Sequence, residues 1–140
     1  MTSSTGLVQV VIQTVGTLHE DALGIAADSL LFDLGDKLRN PHSDPKMRYL
    51  TGLDPAVRMR VLTEPDANAV LSSIVDSTAA LVHGYADPRH RLVRVTVACR
   101  GGRHRSVAIA EQAAEYLDAE GIRVEVEHRH IDRPVVETQP

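Results

Sequence analysis

Aromatic residues are nearly missing from this chain: it has three Tyr, one Phe and no Trp in 140 residues. A nucleic-acid surface that stacks bases on several exposed rings is therefore not expected, and any core has to be assembled from Val, Leu, Ile and Ala. There is a single cysteine, Cys99. It has no partner for an internal disulfide, which fits a reducing compartment. Positive charge is in deficit too, with a formal net charge of −4, so simple charge-driven capture of RNA or DNA is disfavoured. No run approaches the roughly 20 apolar residues of a membrane-spanning helix. The opening, MTSSTGLVQVVIQT, lacks the basic residues that begin a secretory signal. These absences lead to the expectation of a cytoplasmic protein with no membrane partner.

What is present is ordinary in amount and uneven in placement. With 140 residues, 43% of them hydrophobic, the chain is long enough for one domain with a buried core. Between Arg89 and Arg105 stand six arginines and no acid, so an electropositive face can exist on an acidic protein. That stretch runs into the most informative part of the chain, Val93–Gln112. Val93, Val95 and Val97 alternate with Arg94 and Thr96, the period of a strand. Cys99 closes it and Gly101-Gly102 follows. Val107, Ile109, Ala110, Ala113, Ala114 and Leu117 then recur at helical spacing, and Gly121 sits where a left-handed helix cap is common. Strand, glycine turn and helix in that order put unpaired backbone N–H groups at the positive end of a helix, a ready anion site. Arg100, Arg103 and Arg105 surround the turn, with His104 and Ser106 beside them. Arginine forks match phosphate, and the glycines let the backbone come close.

The rest of the chain reads as alternating strands and helices. Leu7–Thr14 is a strand ending near Gly16. Ala26–Leu34 is open between helix and strand; Asp33 at its end favours a short buried strand. Gly35–Thr51 is a charged loop with turn signals at Asn40-Pro41 and Asp44-Pro45. Asp54-Pro55 reads as an N-cap and first helical residue, with a helix to about Leu62. After a second start signal at Thr63–Asp66, a helix runs to about His83 with Val70, Leu71, Ile74, Val75, Ala79 and Leu81 as its apolar face, a core or dimer surface. Gly84–His90 is a connector. Arg123–His130 alternates again as a strand, and the end after Arg133 is a tail. The predicted architecture is a three-layer α/β domain spanning residues 6–134, a mainly parallel sheet with helices packed over it. Ligands of such sheets sit beyond the carboxyl ends of the strands, where Gly16–His19, Asp33, Cys99–Ser106 and His128–His130 all fall.

The pattern CxGGxHRS, carried here by Cys99, Gly101, Gly102, His104, Arg105 and Ser106, resembles the C-terminal domain of the RapZ (YvcJ-like) family. Asn40-Pro41-His42 with Leu50–Asp54, Glu111-Gln112 to Tyr116-Leu117, and Val126–Arg129 are similar to further segments of that domain in order and spacing. Arg100 stands where the family usually has Thr, Asp33-Leu34-Gly35 where it has DxR, and Ser43 where it has an aromatic after NPH. One extra residue lies between Asp33 and Asn40. The resemblance implies a phosphofructokinase-subdomain-like fold. It also implies an amino-sugar phosphate or related anion at His42, Arg100, Gly101, Gly102, His104, Arg105 and Ser106. The family senses glucosamine-6-phosphate and in some bacteria acts as an adapter for a small RNA and an RNase. Full-length members carry a P-loop domain; this chain has no GxxxxGK[ST], so the resemblance implies a free-standing C-terminal domain without an ATP site.

The expected function is binding of a phosphorylated metabolite as a sensor or adapter, without turnover or cofactor. Two alternatives stay open. Cys99, Gly102, Arg105 and Ser106 also satisfy CxxGxxRS, the spacing of cysteine-dependent phosphatases, in which a helix N-terminus activates the thiol; Ala98 stands where those enzymes usually have His. An RNA-binding adapter is the other, using Arg89, Arg91 and Arg94. A protein partner or a homo-oligomer is compatible with all three. His128 and His130, two apart on one strand, share a face and can be paired with His104 as a metal set, but no CxxC or HExxH frames them, so no metal is expected.

Overall fold

The computed structural model describes residues 7–35, 38, 44–84 and 92–134. Four strands, β1 (Val10–Gly16), β2 (Leu30–Asp33), β3 (Val93–Cys99) and β4 (Val124–His128), form one sheet in the order β2-β3-β1-β4. Every pairing is parallel, which requires a crossover between each pair of successive strands. The crossovers are α1 (Ala22–Ala26), the pair α2 (Pro55–Leu62) and α3 (Ala67–Gly84), and α4 (Arg105–Ala119). No helix among the described residues is long and apolar enough to cross a membrane.

The register sorts the side chains. Val10 and Ile12 align with Val93 and Val95 and with Val124 and Val126. Their shared face packs against Val57, Val61, Leu71, Ile74, Ile109, Ala113 and Leu117 of α2, α3 and α4. The opposite face is covered by the single helical turn of α1, where Ala22 and Ile25 meet Val15 and Ala98. A five-residue helix covers little, so that face also carries exposed residues such as Leu31, Arg94, Glu125 and Glu127. This is the three-layer arrangement the alternation predicts.

The predicted boundaries of α2 and β3 coincide with the observed ones. Asp54 Oδ1 accepts the Ala56 N–H at 2.9 Å and Pro55 opens α2, as the Asp-Pro signal requires. Gly121 has φ +86°, and the Gly121 and Ile122 amides close back on Asp118 and Leu117 at 2.9 and 3.1 Å, the double bond of a Schellman end. Two expectations need correction. β2 is an edge strand in which Leu31 is 47% exposed, not a buried one, because it pairs only with β3. The buried face of α3 ends on Thr78 and Val82, while Leu81 is exposed; Leu71, Ile74, Val75, Thr78 and Val82 follow regular helical spacing, and the polar Thr78 is part of that stripe. α1 has no counterpart in the sequence pattern, since five residues are too few for a helical period to show.

Candidate functional site

In a parallel sheet with helices on both faces, the crevice lies between neighbouring strands whose following connections leave toward opposite faces. β1 leads to α1 on one face and β3 leads to α4 on the other, so the β1/β3 pair is that point. Their ladder continues past the strands: the Thr17 N–H donates to the Cys99 carbonyl at 2.8 Å and the Leu18 N–H to that of Arg100 at 2.9 Å. Gly16 and the glycine turn are packed backbone against backbone. A Cβ on Gly16 would overlap the Gly101 carbonyl group, and one on Gly102, whose φ is +77°, would come within 2.6 Å of the Gly16 nitrogen. The chain therefore needs glycine at both places.

α4 begins immediately behind this contact. Its first helical bond joins the Ala108 N–H to the His104 carbonyl at 3.0 Å, so the amides of Arg105, Ser106 and Val107 precede the helical ladder. Cys99 is 2% exposed. Its Sγ accepts the Gly102 N–H at 3.3 Å and its thiol donates to Ser106 Oγ at 3.2 Å. A thiol enclosed in this way is short of the exposure a nucleophile needs.

Three successive side chains tie distant segments to the turn. The Arg103 guanidinium donates through Nη2 to the Tyr49 carbonyl at 3.0 Å and through Nη1 to the carbonyls of Ile131 and Arg133 at 2.8 and 2.9 Å. His104 Nε2 lies 3.1 Å from the Met47 carbonyl, which makes it the N–H donor of that contact. Arg105 is 2% exposed, and its Nη1 donates to the carbonyls of Gly35 and Leu38 at 2.7 and 3.4 Å. The Gly52 N–H returns a bond to the Arg103 carbonyl at 2.7 Å. Asp44 anchors the same connection through Arg60 at 3.1 Å; the Lys46 amide foremost, then the Arg60 guanidinium, holds its carboxyl below the usual range.

Of the residues predicted to hold a ligand, Gly101, Gly102, His104, Arg105 and Ser106 thus form one corner, with Arg100 exposed at its rim. His42 lies outside the described residues, as do Arg89 and Arg91. Two open grooves lie elsewhere on the helical side: one of about 460 Å³ between α3 and α4, and one of about 270 Å³ beside β2.

A second polar cluster flanks the corner at the ends of β1 and β4. His128 bonds Thr14 Oγ1 at 2.9 Å and Glu111 at 2.7 Å. His130 is fully buried; its Nδ1 accepts the Gly16 N–H at 2.8 Å and its Nε2 meets Asp21 Oδ1 at 2.9 Å. Arg133 forks onto both oxygens of Asp21 at 3.1 and 2.7 Å. Burial foremost, then the neighbouring His19, pushes the His130 imidazole below its ordinary range. The Arg133 hydrogen bond is the main reason the Asp21 carboxyl falls to about 2. His128 and His130 are each spent on such partners, and no group of three His, Cys, Asp or Glu able to hold a metal occurs among the described residues. Sequence places Gly16–His19 and His128–His130 at the same end of the sheet, but gives no sign of the Asp21–His130–Arg133 bonds or of the clamp made by Arg103. The charged residues were visible; their partners come from other segments, 28 to 54 positions away for Arg103 and 109 to 114 for His130 and Arg133, which no local pattern marks.

Comparison with known proteins bears on the same stretch. The family model for the RapZ C-terminal domain matches residues 8–132. A nucleotide-binding protein of Rubrobacter xylanophilus is 40% identical over 134 residues, covering 93% of this chain and 43% of that protein. Nucleotide-binding proteins of Thermobifida fusca and Trichlorobacter lovleyi are 42% and 38% identical, each over 96 residues and 69% of this chain, covering 33% and 34% of their own lengths. The chain spans less than half the length of these relatives.

Proposed function

The chain belongs to the RapZ C-terminal domain family, and from that premise we propose that it is a binding domain for a phosphorylated small metabolite of the amino-sugar phosphate class, acting as a sensor or adapter without turnover. The reading rests on one observation: the first turn of α4, with the amides of Arg105, Ser106 and Val107 ahead of the helical ladder, begins at the β1/β3 switch point beside the Gly101-Gly102 turn. A phosphate there is favoured by the helix end and by the nearby guanidinium charge. His104 and Arg105 bond the carbonyls of Met47, Gly35 and Leu38; His42 and Arg100 are the remaining ligand contacts of this proposal. The enclosed Cys99 thiol supports binding over phosphatase chemistry. The relatives are called nucleotide-binding proteins, and the shared chemistry of a nucleotide and a sugar phosphate is the phosphate group.

The test is an amide-resolved titration with a hexosamine 6-phosphate, inorganic phosphate and the unphosphorylated hexosamine. Both phosphates are expected to shift the Gly101–Val107 amides, and the neutral sugar is expected to leave them in place. Arg100→Gln should weaken phosphate binding by about two- to fivefold, the scale of an exposed charge contact. Phosphate binding that leaves Gly101–Val107 unmoved, or no binding at low salt, overturns the proposal. An RNA or protein partner belongs to the adapter reading; RNA binding would show as an affinity falling steeply with salt and lost on replacing Arg89, Arg91 and Arg94.

A further inference from the structure

We propose that residues 129–134 form a pH-released strap, pinned across the end of β1 by neutral His130 and freed when that imidazole takes up a proton. The ladder between β4 and β1 ends with the Arg129 N–H on the Thr14 carbonyl at 3.0 Å. The next amide of β1 that faces β4, Gly16, donates to the His130 ring rather than to a backbone carbonyl. The ring nitrogen that accepts it, Nδ1, must carry a lone pair, so the other nitrogen carries the proton and gives it to Asp21. Both nitrogens are then committed, and the ring is the neutral Nε2–H tautomer. Protonation would put an N–H on Nδ1 directly against the Gly16 N–H, with no acceptor between them, in a site closed to water.

The surroundings reinforce this. Among the described residues, the titratable and charged groups facing His130 are His19 and Asp21 from the β1–α1 connection, Arg133 from its own segment, and Arg103 from the glycine turn, whose Nη1 binds the Ile131 and Arg133 carbonyls. The His19 ring stands 4.4 Å from that of His130, tilted by 49°, so a charge on His130 would arise against a second imidazole that opposes it. Asp21 pulls the other way, but its two oxygens are already shared with Arg133. Burial and His19 outweigh it, in keeping with the downward displacement of His130. The released strap binds the proton more readily than the docked one, so docking is complete above the free histidine value of about 6.5 and weakens as pH falls below it. Release would also take from Arg103 two of the three carbonyls that it holds, loosening the clamp on the glycine turn. The device stands on the fold alone and does not depend on what the corner binds.

The experiment is hydrogen exchange on the intact chain at pH 7.5 and pH 5.5, corrected for intrinsic exchange, with the His130 ring nitrogens followed by NMR. At pH 7.5, His130 is expected as the Nε2–H tautomer. At pH 5.5, protection of the Gly16 amide and of the amides of residues 130–133 should drop about tenfold, the effect of one unit of titration, while Ile12 and Val95 keep theirs. His130→Asn places a non-titrating oxygen near the position of Nδ1 and should keep the strap docked at pH 5.5. A wild-type strap equally protected at both pH values, one that opens only together with Ile12 and Val95, or a His130 already doubly protonated at pH 7.5 overturns the proposal. If His130→Asn does not fold, the wild-type comparison decides by itself.

Discussion

At the residue scale the molecule turns on a few positions where backbone meets backbone. Gly102 combines φ +77° with an approach to Gly16 that leaves no room for a methyl group. Gly102→Ala should cost at least about 1–3 kcal/mol for the backbone conformation alone, read as a lowered urea midpoint; a midpoint like that of the wild type would sink the close-packing account. Asp21 supplies a pH signature. Its carboxyl falls from 3.8 to about 2 in the fold, chiefly through the Arg133 hydrogen bond. Its contribution is therefore present above pH 3.8 and is lost as pH falls from there through about 2. Asp21→Asn should flatten the stability profile in that window, measured by urea unfolding across acid pH. His130 acts higher: its folded value lies below 6.5, so its contribution is present above 6.5 and lost as pH drops under it.

At the scale of elements, each end of a helix has its own cause. α2 is bounded by the Asp54 cap and Pro55, and Asp54→Ala should cost about 1 kcal/mol, again as a shift of the urea midpoint. α4 ends on the Gly121 turn but has no side-chain cap at its start. His104 occupies the cap position, and its ring goes to the Met47 carbonyl instead. α1 shows a similar exchange: Asp21 stands at its N-cap and makes no capping bond, because its carboxylate is taken by His130 and Arg133.

For the whole molecule, the strand order β2-β3-β1-β4 brings the connections after β1 and β3 together and sends them to opposite faces. This topology places the glycine turn, residues 44–54 and the C-terminal segment around one corner. A ligand held there is tied to the fold as a unit. A hexosamine 6-phosphate at a hundred times its dissociation constant should stabilise the chain by about 2.7 kcal/mol, seen as a rise in Tm. Added salt should shrink that rise, since exposed charges are screened. A Tm unmoved by saturating phosphate would count against the corner as a binding site.

The local code of the chain determined where β3, α2 and α4 lie, because each carries its own period, cap or turn residue within about fifteen neighbours; it gave β1 as a strand at Leu7–Thr14, where the pairing sets it at Val10–Gly16. It also marked Cys99–Ser106 as a glycine turn between a strand and a helix. Tertiary structure alone decided what those side chains do. Arg103, His104 and Arg105 spend donors on carbonyls of Tyr49, Met47 and Gly35, and His130 replaces a strand carbonyl opposite Gly16. It also decided that β2 is an edge, since pairing partners are set by the order of strands in the sheet. A hydrogen bond between residues a hundred positions apart leaves no periodic trace in either segment, so only the folded chain reveals it.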